Sequence, residues 1–201
     1  MSPAKPEVEA HMIAGIIDET NILPGRDCGP CALCCKVMRI EALGKPEGIW
    51  CPHCVPGKGC RIYETRQEEC RIFYCLWRAD PDLGDIWQPA HCKMVLYTEG
   101  MGHRLVISVD PGNPTKWREE PWYSQIKTWS FNLLRYGQVV VYVANRAIVV
   151  FPNKEVDLGP LKKGDVILTR ENDGVWDAML AAEDQLPQNQ RGVWLDTGGR
   201  L

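Results

Sequence analysis

The chain has 201 residues, with 45% hydrophobic and 24% charged residues, and its 23 Lys and Arg against 26 Asp and Glu leave a formal charge of −3. Such a composition belongs to a globular chain long enough to bury a core. Neither half is basic (11 basic and 14 acidic residues up to position 100, 12 and 12 beyond), which excludes charge-driven nucleic-acid binding. The longest apolar run, residues 139–144, is far short of the roughly 18 residues a membrane helix needs. The first ten residues lack the apolar core of a secretory signal, so the expectation is a cytoplasmic protein with no membrane partner.

Residues 7–20 read as an amphipathic helix, because Val8, Met12, Ile13, Ile16 and Ile17 recur at helical spacing. Pro24 and Gly25 end it. The largest compositional shift of the chain follows. All ten cysteines fall within the first 92 residues, and the remaining 109 have none. In a reducing compartment thiols stay free, so this density points to metal rather than to a disulfide framework.

Cys28, Cys31, Cys34 and Cys35 form a C-x2-C-x2-C-C run. A C-x2-C step lets two sulfurs turn toward one ion, and here two steps share Cys31. Gly29 and Pro30 inside the first step favour a tight turn. Adjacent side chains diverge, so the Cys34–Cys35 pair suggests a polynuclear cluster, two nearby ions, or one ligand beside a bystander. Neighbouring cysteines also make a poor disulfide, which counts against a thiol oxidoreductase. Cys51 and Cys54 make another C-x2-C step, in a stretch holding Pro52, Pro56, Gly57 and Gly59 that reads as a loop, with His53 as an optional nitrogen ligand. Residues 64–69 are polar and could form a short helix bracketed by Cys60 and Cys70, returning both to the cluster. Cys75 reads equally as core or ligand, and Cys92 more as core than as ligand.

The second half reads as strands around one helix. Strands are expected at 94–98 and 103–109, with a hairpin turn at 99–102. A helix is expected over 120–136, with Pro121 in its first turn, Trp122, Ile126, Trp129 and Leu133 on one apolar face, and Gly137 as its cap. Two β-branched runs, 138–144 and 147–151, are joined by Asn145-Arg146, and shorter strands follow at 156–158, 166–169 and 175–180. Residues 185–201 are Gln- and Gly-rich and read as a tail. No Ser/His/Asp arrangement, phosphate-binding glycine loop or internal repeat is present, and His11 and His103 stand alone, so no catalytic group is assigned.

The ordered set Cys28-x2-Cys31-x2-Cys34-Cys35, Cys51, Gly59-Cys60-Arg-Ile-Tyr63 and Arg66-x3-Cys70-Arg71-x-Phe73 resembles the YkgJ family, the CxxCxxCC proteins described as zinc- or iron-chelating. The resemblance covers residues 25–78 and implies Cys28, Cys31, Cys34, Cys35, Cys51, Cys60 and Cys70 as metal ligands. Arg66-Gln67 stands where that family commonly has Arg-Pro, and Cys54, Cys75 and Cys92 are additional thiols. A flagellin lysine methylase carries a related cysteine cluster, but no cofactor motif for methyl transfer is found here.

Sulfur-rich ligation selects zinc, Cu(I) or iron–sulfur clusters over hard cations. Seven thiols are one short of two separate four-cysteine zinc sites; they suffice for two zinc ions sharing a thiolate, or for one 4Fe-4S cluster. The C-x2-C-x2-C run also opens bacterial ferredoxin sites, whose distant cysteine is followed by Pro, as Cys51 is here. The sequence therefore predicts an α+β protein. Its parts are an N-terminal helix within 1–22, an irregular metal-stabilised cysteine-rich segment at 23–95, and a β-rich part at 96–183 whose central helix packs on a small antiparallel sheet or barrel-like unit, before a tail at 184–201. Its expected role is to hold Zn2+ through cysteine thiolates, structurally or in metal handling. The alternative is an iron–sulfur redox protein.

Overall fold

A computed structural model describes residue 17 and residues 19–186. The expected helix over 7–20 falls almost entirely outside the described residues; at its end Glu19–Asn21 form one 3-10 turn. Most of the expected tail at 184–201 also lies outside them.

The cysteine-rich segment contains only short elements. They are α1 (Cys34–Val37), the two-residue strands β1 (Cys54–Val55) and β2 (Gly59–Cys60), α2 (Glu68–Ile72), α3 (Leu76–Ala79) and α4 (Pro89–Cys92). The helix expected over 64–69 is displaced: Tyr63–Thr65 form a 3-10 turn and α2 starts at Glu68, so Cys70 lies inside the helix rather than after it. The Arg66 side chain stabilises this break, donating from Nε to the Cys70 carbonyl (3.2 Å) and from Nη1 to the Tyr63 carbonyl (2.6 Å).

Beyond it run β3 (Met94–Glu99), β4 (Arg104–Val109), α5 (Trp122–Leu133), β5 (Gln138–Val143), β6 (Arg146–Val150), β7 (Glu155–Pro160), β8 (Asp165–Asn172) and β9 (Val175–Ala182). The first five of these strands form one sheet in sequence order, and β8 and β9 form a separate hairpin. All pairs are antiparallel except β4 with β5. That parallel pair corrects the all-antiparallel expectation. A helical connection lies between the two strands, and such a crossover returns the chain in the direction it left. The chain is thus mixed α and β with mostly antiparallel sheets.

Alternate residues of the sheet divide between two buried clusters. Met94, Leu96, Ile107, Val139, Val141 and Ile148 share one with Ile126 and Leu133 of α5 and with Trp77, Trp87 and Trp117. Val95, Tyr97, Val106, Val140 and Val149 share the other with Leu33, Val37 and Met38 of the cysteine-rich segment and Ile167 and Ala178 of the last hairpin. Burial on both faces explains why 139–144 reads as a continuous apolar run rather than an alternating one.

Local turn chemistry sets the strand ends. Between β5 and β6 the turn falls on Ala144–Asn145, one residue earlier than expected, with Ala144 at φ 51°. At the end of α5 the chain passes so close to β4 that a Cβ on Gly137 would lie 1.9 Å from the His103 carbonyl oxygen. Only glycine fits that contact.

Candidate metal centre

The cysteines are brought together by backbone hydrogen bonds rather than by long elements. The Cys31 amide donates to the Cys28 carbonyl (2.7 Å), closing the first C-x2-C step around Gly29, whose φ of 45° lies in the left-handed region. The Cys54 amide closes the second step onto the Cys51 carbonyl (3.0 Å), and the Cys51 amide ties it to the first through the Cys35 carbonyl (2.9 Å). Cys60 is paired opposite Cys54 across the β1–β2 ladder. A Cβ on Gly59 would stand 3.2 Å from the Gly29 carbonyl oxygen, so this small hairpin lies directly against the first loop.

The outcome is a cavity of about 100 Å³ whose wall includes Cys28, Cys31, Cys34, Cys35, Cys51, Cys60 and Cys70. Every cysteine of the motif set faces it, although they span positions 28 to 70. His53, Tyr63, Arg66 and Glu69 also line it. A smaller cavity of about 40 Å³ shares Cys28, Cys31 and Cys34 and adds Cys75. Cys54 lines neither; it is buried with Cys51, Ala32 and Ile40. Cys92 is fully buried, and its sulfur contacts the carbonyls of Trp87 (3.4 Å) and Met94 (3.3 Å), as a small core residue would.

All ten cysteines are free thiols. As the side chains stand, no group of three His, Cys, Asp or Glu among the described residues is arranged to hold an ion. Burial is the main influence on most of these thiols. It pushes Cys31 up, Cys70 up to about 11, and Cys54 and Cys75 up to about 12. Within the adjacent pair, the hydrogen bond between the two thiols holds Cys34 well above its ordinary value and Cys35 below it, at about 7; Lys45 and Arg66 add to the lowering of Cys35. Cys31, Cys34 and Cys70 on the cavity wall are therefore protonated at neutral pH, and a bound cation would reverse that by deprotonating them.

Sequence reasoning overlooked two groups here. Lys45 is 5% exposed, and its ammonium donates to the carbonyls of Lys36, Pro46 and Ile49 at 3.3, 2.8 and 2.9 Å. It pins the loop between α1 and Cys51 and places a positive charge near Cys35 and Cys51. Glu69 accepts from the Ala42 amide (3.1 Å) through Oε1, while its Oε2 is buried without a hydrogen-bond partner among the described residues. Lys45, an isolated charge in a loop, gives no periodic signal, but Glu69 immediately precedes Cys70 in α2 and could have been found from that adjacency.

Among the described residues, no helix is long and apolar enough to cross a membrane. No family model, curated protein or solved structure matches the chain.

Proposed function

We propose that this protein binds a thiophilic metal ion through Cys28, Cys31, Cys34, Cys35, Cys51, Cys60 and Cys70, with zinc as the metal and a structural or metal-handling role. The observation that carries the reading is the placement of all seven on the wall of one cavity. Their order and spacing resemble those of the YkgJ family. The residues fit such an ion chemically: the donor set is soft and sulfur-rich, and the orphaned Glu69 Oε2 on the same wall has no cationic or hydrogen-bonding partner among the described residues. Binding requires the sulfurs to converge, since as the side chains stand no three ligating groups among the described residues are arranged to hold an ion.

The chemistry a zinc ion would supply here is cross-linking, since a site closed by thiolates leaves no open coordination position for a substrate. The chain's own residues hold the loops in register. Gly29 makes the first turn, Arg66 braces the start of α2, and Lys45 offsets negative charge beside Cys35 and Cys51. The reading requires reduced thiols and therefore a reducing compartment such as the cytoplasm.

A second reading is an iron–sulfur redox protein. It is favoured by the C-x2-C-x2-C run and by a cavity roomier than one tetrahedral ion needs. Purification without air, followed by elemental analysis and a visible spectrum, separates the two. One to two zinc ions and a colourless solution are expected; several irons with a broad brown absorption would establish the redox reading. Protein containing neither metal, and taking up neither on reconstitution, would falsify both.

A further inference from the structure

We infer that the chain holds two separate tetrathiolate ions, and that Cys75, outside the motif set, completes the second site with Cys28, Cys31 and Cys34. This rests on the metal-binding reading above and deepens it. The two cavities carry the argument. Cys28, Cys31 and Cys34 form a wall common to both, so they can serve either side. Cys75 faces only the smaller cavity, and Cys35, Cys51, Cys60 and Cys70 face only the larger. The boundary between the sites runs between Cys34, which lines both cavities, and Cys35, which lines only the larger, with the two thiols hydrogen-bonded to each other as the side chains stand.

At the two ends the electrostatic neighbourhoods differ, while Cys31 and Cys34 on the common wall are acted on by Cys35 as well as by Cys28. The thiols that act on Cys75 are those of Cys28 and Cys31, whereas those acting on Cys70 are Cys35, Cys51 and Cys60. Ligand number agrees. Structural zinc takes four ligands, and seven thiols leave one of two such sites a ligand short. Cys75 is the eighth. The other surplus thiols are less suited: Cys54 interacts with Cys35, Cys51 and Cys60, on the side that already has four, and Cys92 contacts two backbone carbonyls in the core. Arg78 and Asp27 also line the smaller cavity, 3.9 Å apart, with the Asp27 side chain largely in solvent. The second site spans from the first loop to the start of α3. It would join the cysteine-rich segment to the tryptophan-rich core that contains Trp77 and Trp87.

The test is a titration of the full-length chain, stripped of metal and kept reduced, first with zinc and then with Co(II), with bound metal measured by elemental analysis. The wild type is expected to take two ions, Cys75→Ser and Cys70→Ser one each, and the double variant none. A Cys75→Ser protein that still takes two ions, or a wild type that saturates at one, overturns the second site while leaving metal binding intact. A wild type that takes none defeats the underlying reading as well. If Cys75→Ser does not fold, electron paramagnetic resonance of the Co(II)-loaded wild type decides. Two independent high-spin ions are expected; a magnetically coupled, thiolate-bridged pair overturns the proposal, and so does an iron–sulfur chromophore in the protein as isolated.

Discussion

The cysteine-rich segment and the sheet that follows are of comparable length but are held together differently. Every residue of β4 is buried, and β5 is buried except at its last position, so the sheet draws its stability from apolar surface removed from water on both faces. The segment before it has no helix longer than the five residues of α2. Apart from the residues it contributes to the two sheet clusters, its buried cluster is Ala32, Ile40, Cys51 and Cys54, with Cys35, Leu43 and Cys70 partly buried against it. So small an apolar cluster offsets little of the entropy of ordering loops. The contrast teaches that one chain can combine a deeply buried sheet with a loop-rich portion that buries little apolar surface apart from what it packs on that sheet, and under the proposed function bound metal would supply the rest.

The largest expected effect tests that dependence. Removing metal with a strong chelator should expose residues 25–78 to proteolysis and amide exchange while the sheet stays protected, because thiolate-bound zinc contributes on the order of 10 kcal/mol to folding in zinc-finger peptides. Equal protection of both regions before and after chelation would erase the proposed difference between them. The reciprocal change is Ile107→Ala, at a position with no exposure in the central sheet. It should cost about 2–5 kcal/mol in chemical denaturation of the sheet and leave metal stoichiometry unchanged. Loss of metal in that variant would mean that the two regions do not stand apart.

A smaller effect sharpens the comparison at the junction. Lys36 of α1 reaches Asp110, just beyond β4, at 2.5 Å. Burial alone would raise the Asp110 carboxyl, but hydrogen bonds from Lys36 and the Gly112 amide outweigh it and hold the group below its ordinary 3.8. A depressed folded value stabilises the protein above the unfolded value and loses that contribution as pH falls through the folded one. The pair should thus be fully effective at neutral pH and fade below about pH 4. Asp110→Asn should cost about 1–3 kcal/mol at pH 7 and flatten the acid limb of the stability profile. An unchanged limb would show that this contact does not couple the regions. Least of all should follow from Arg146→Gln. The Arg146–Asp157 pair (2.7 Å) bridges β6 and β7 in solvent, with side chains 53% and 43% exposed. Its loss should stay below about 1 kcal/mol in the same denaturation experiment. A larger loss would mean that the sheet relies on surface charge as well as on burial.

Much of the sheet was legible from local signals. Apolar, β-branched runs and the turns between them located β3 to β6 to within a residue or two, and the helical spacing of Trp122, Ile126, Trp129 and Leu133 located α5. The Asp173-Gly174 pair, both in the left-handed region at φ 48° and 78°, turns the β8–β9 hairpin; sequence reasoning passed over this turn, and the strands expected at 166–169 and 175–180 run longer, to Asn172 and Ala182. The helix near Cys70 was misplaced because the polar stretch 64–69 has no periodicity, and its start is decided by the Arg66 side chain bonding back to two carbonyls.

The sequence by itself determined which residue types could hold a metal and how they are spaced, because C-x2-C geometry is local and needs only a few turn residues. It likewise determined the strands and the central helix, whose periodicities are properties of the backbone. Only the tertiary structure decided that Cys51, Cys60 and Cys70 face the same cavity as the first run, that Cys75 faces another, and that Cys92 belongs to the core. It also decided that β4 and β5 run parallel. These outcomes depend on how separate loops meet and on which surface each element buries, and no stretch of neighbouring residues encodes contacts between segments tens of residues apart.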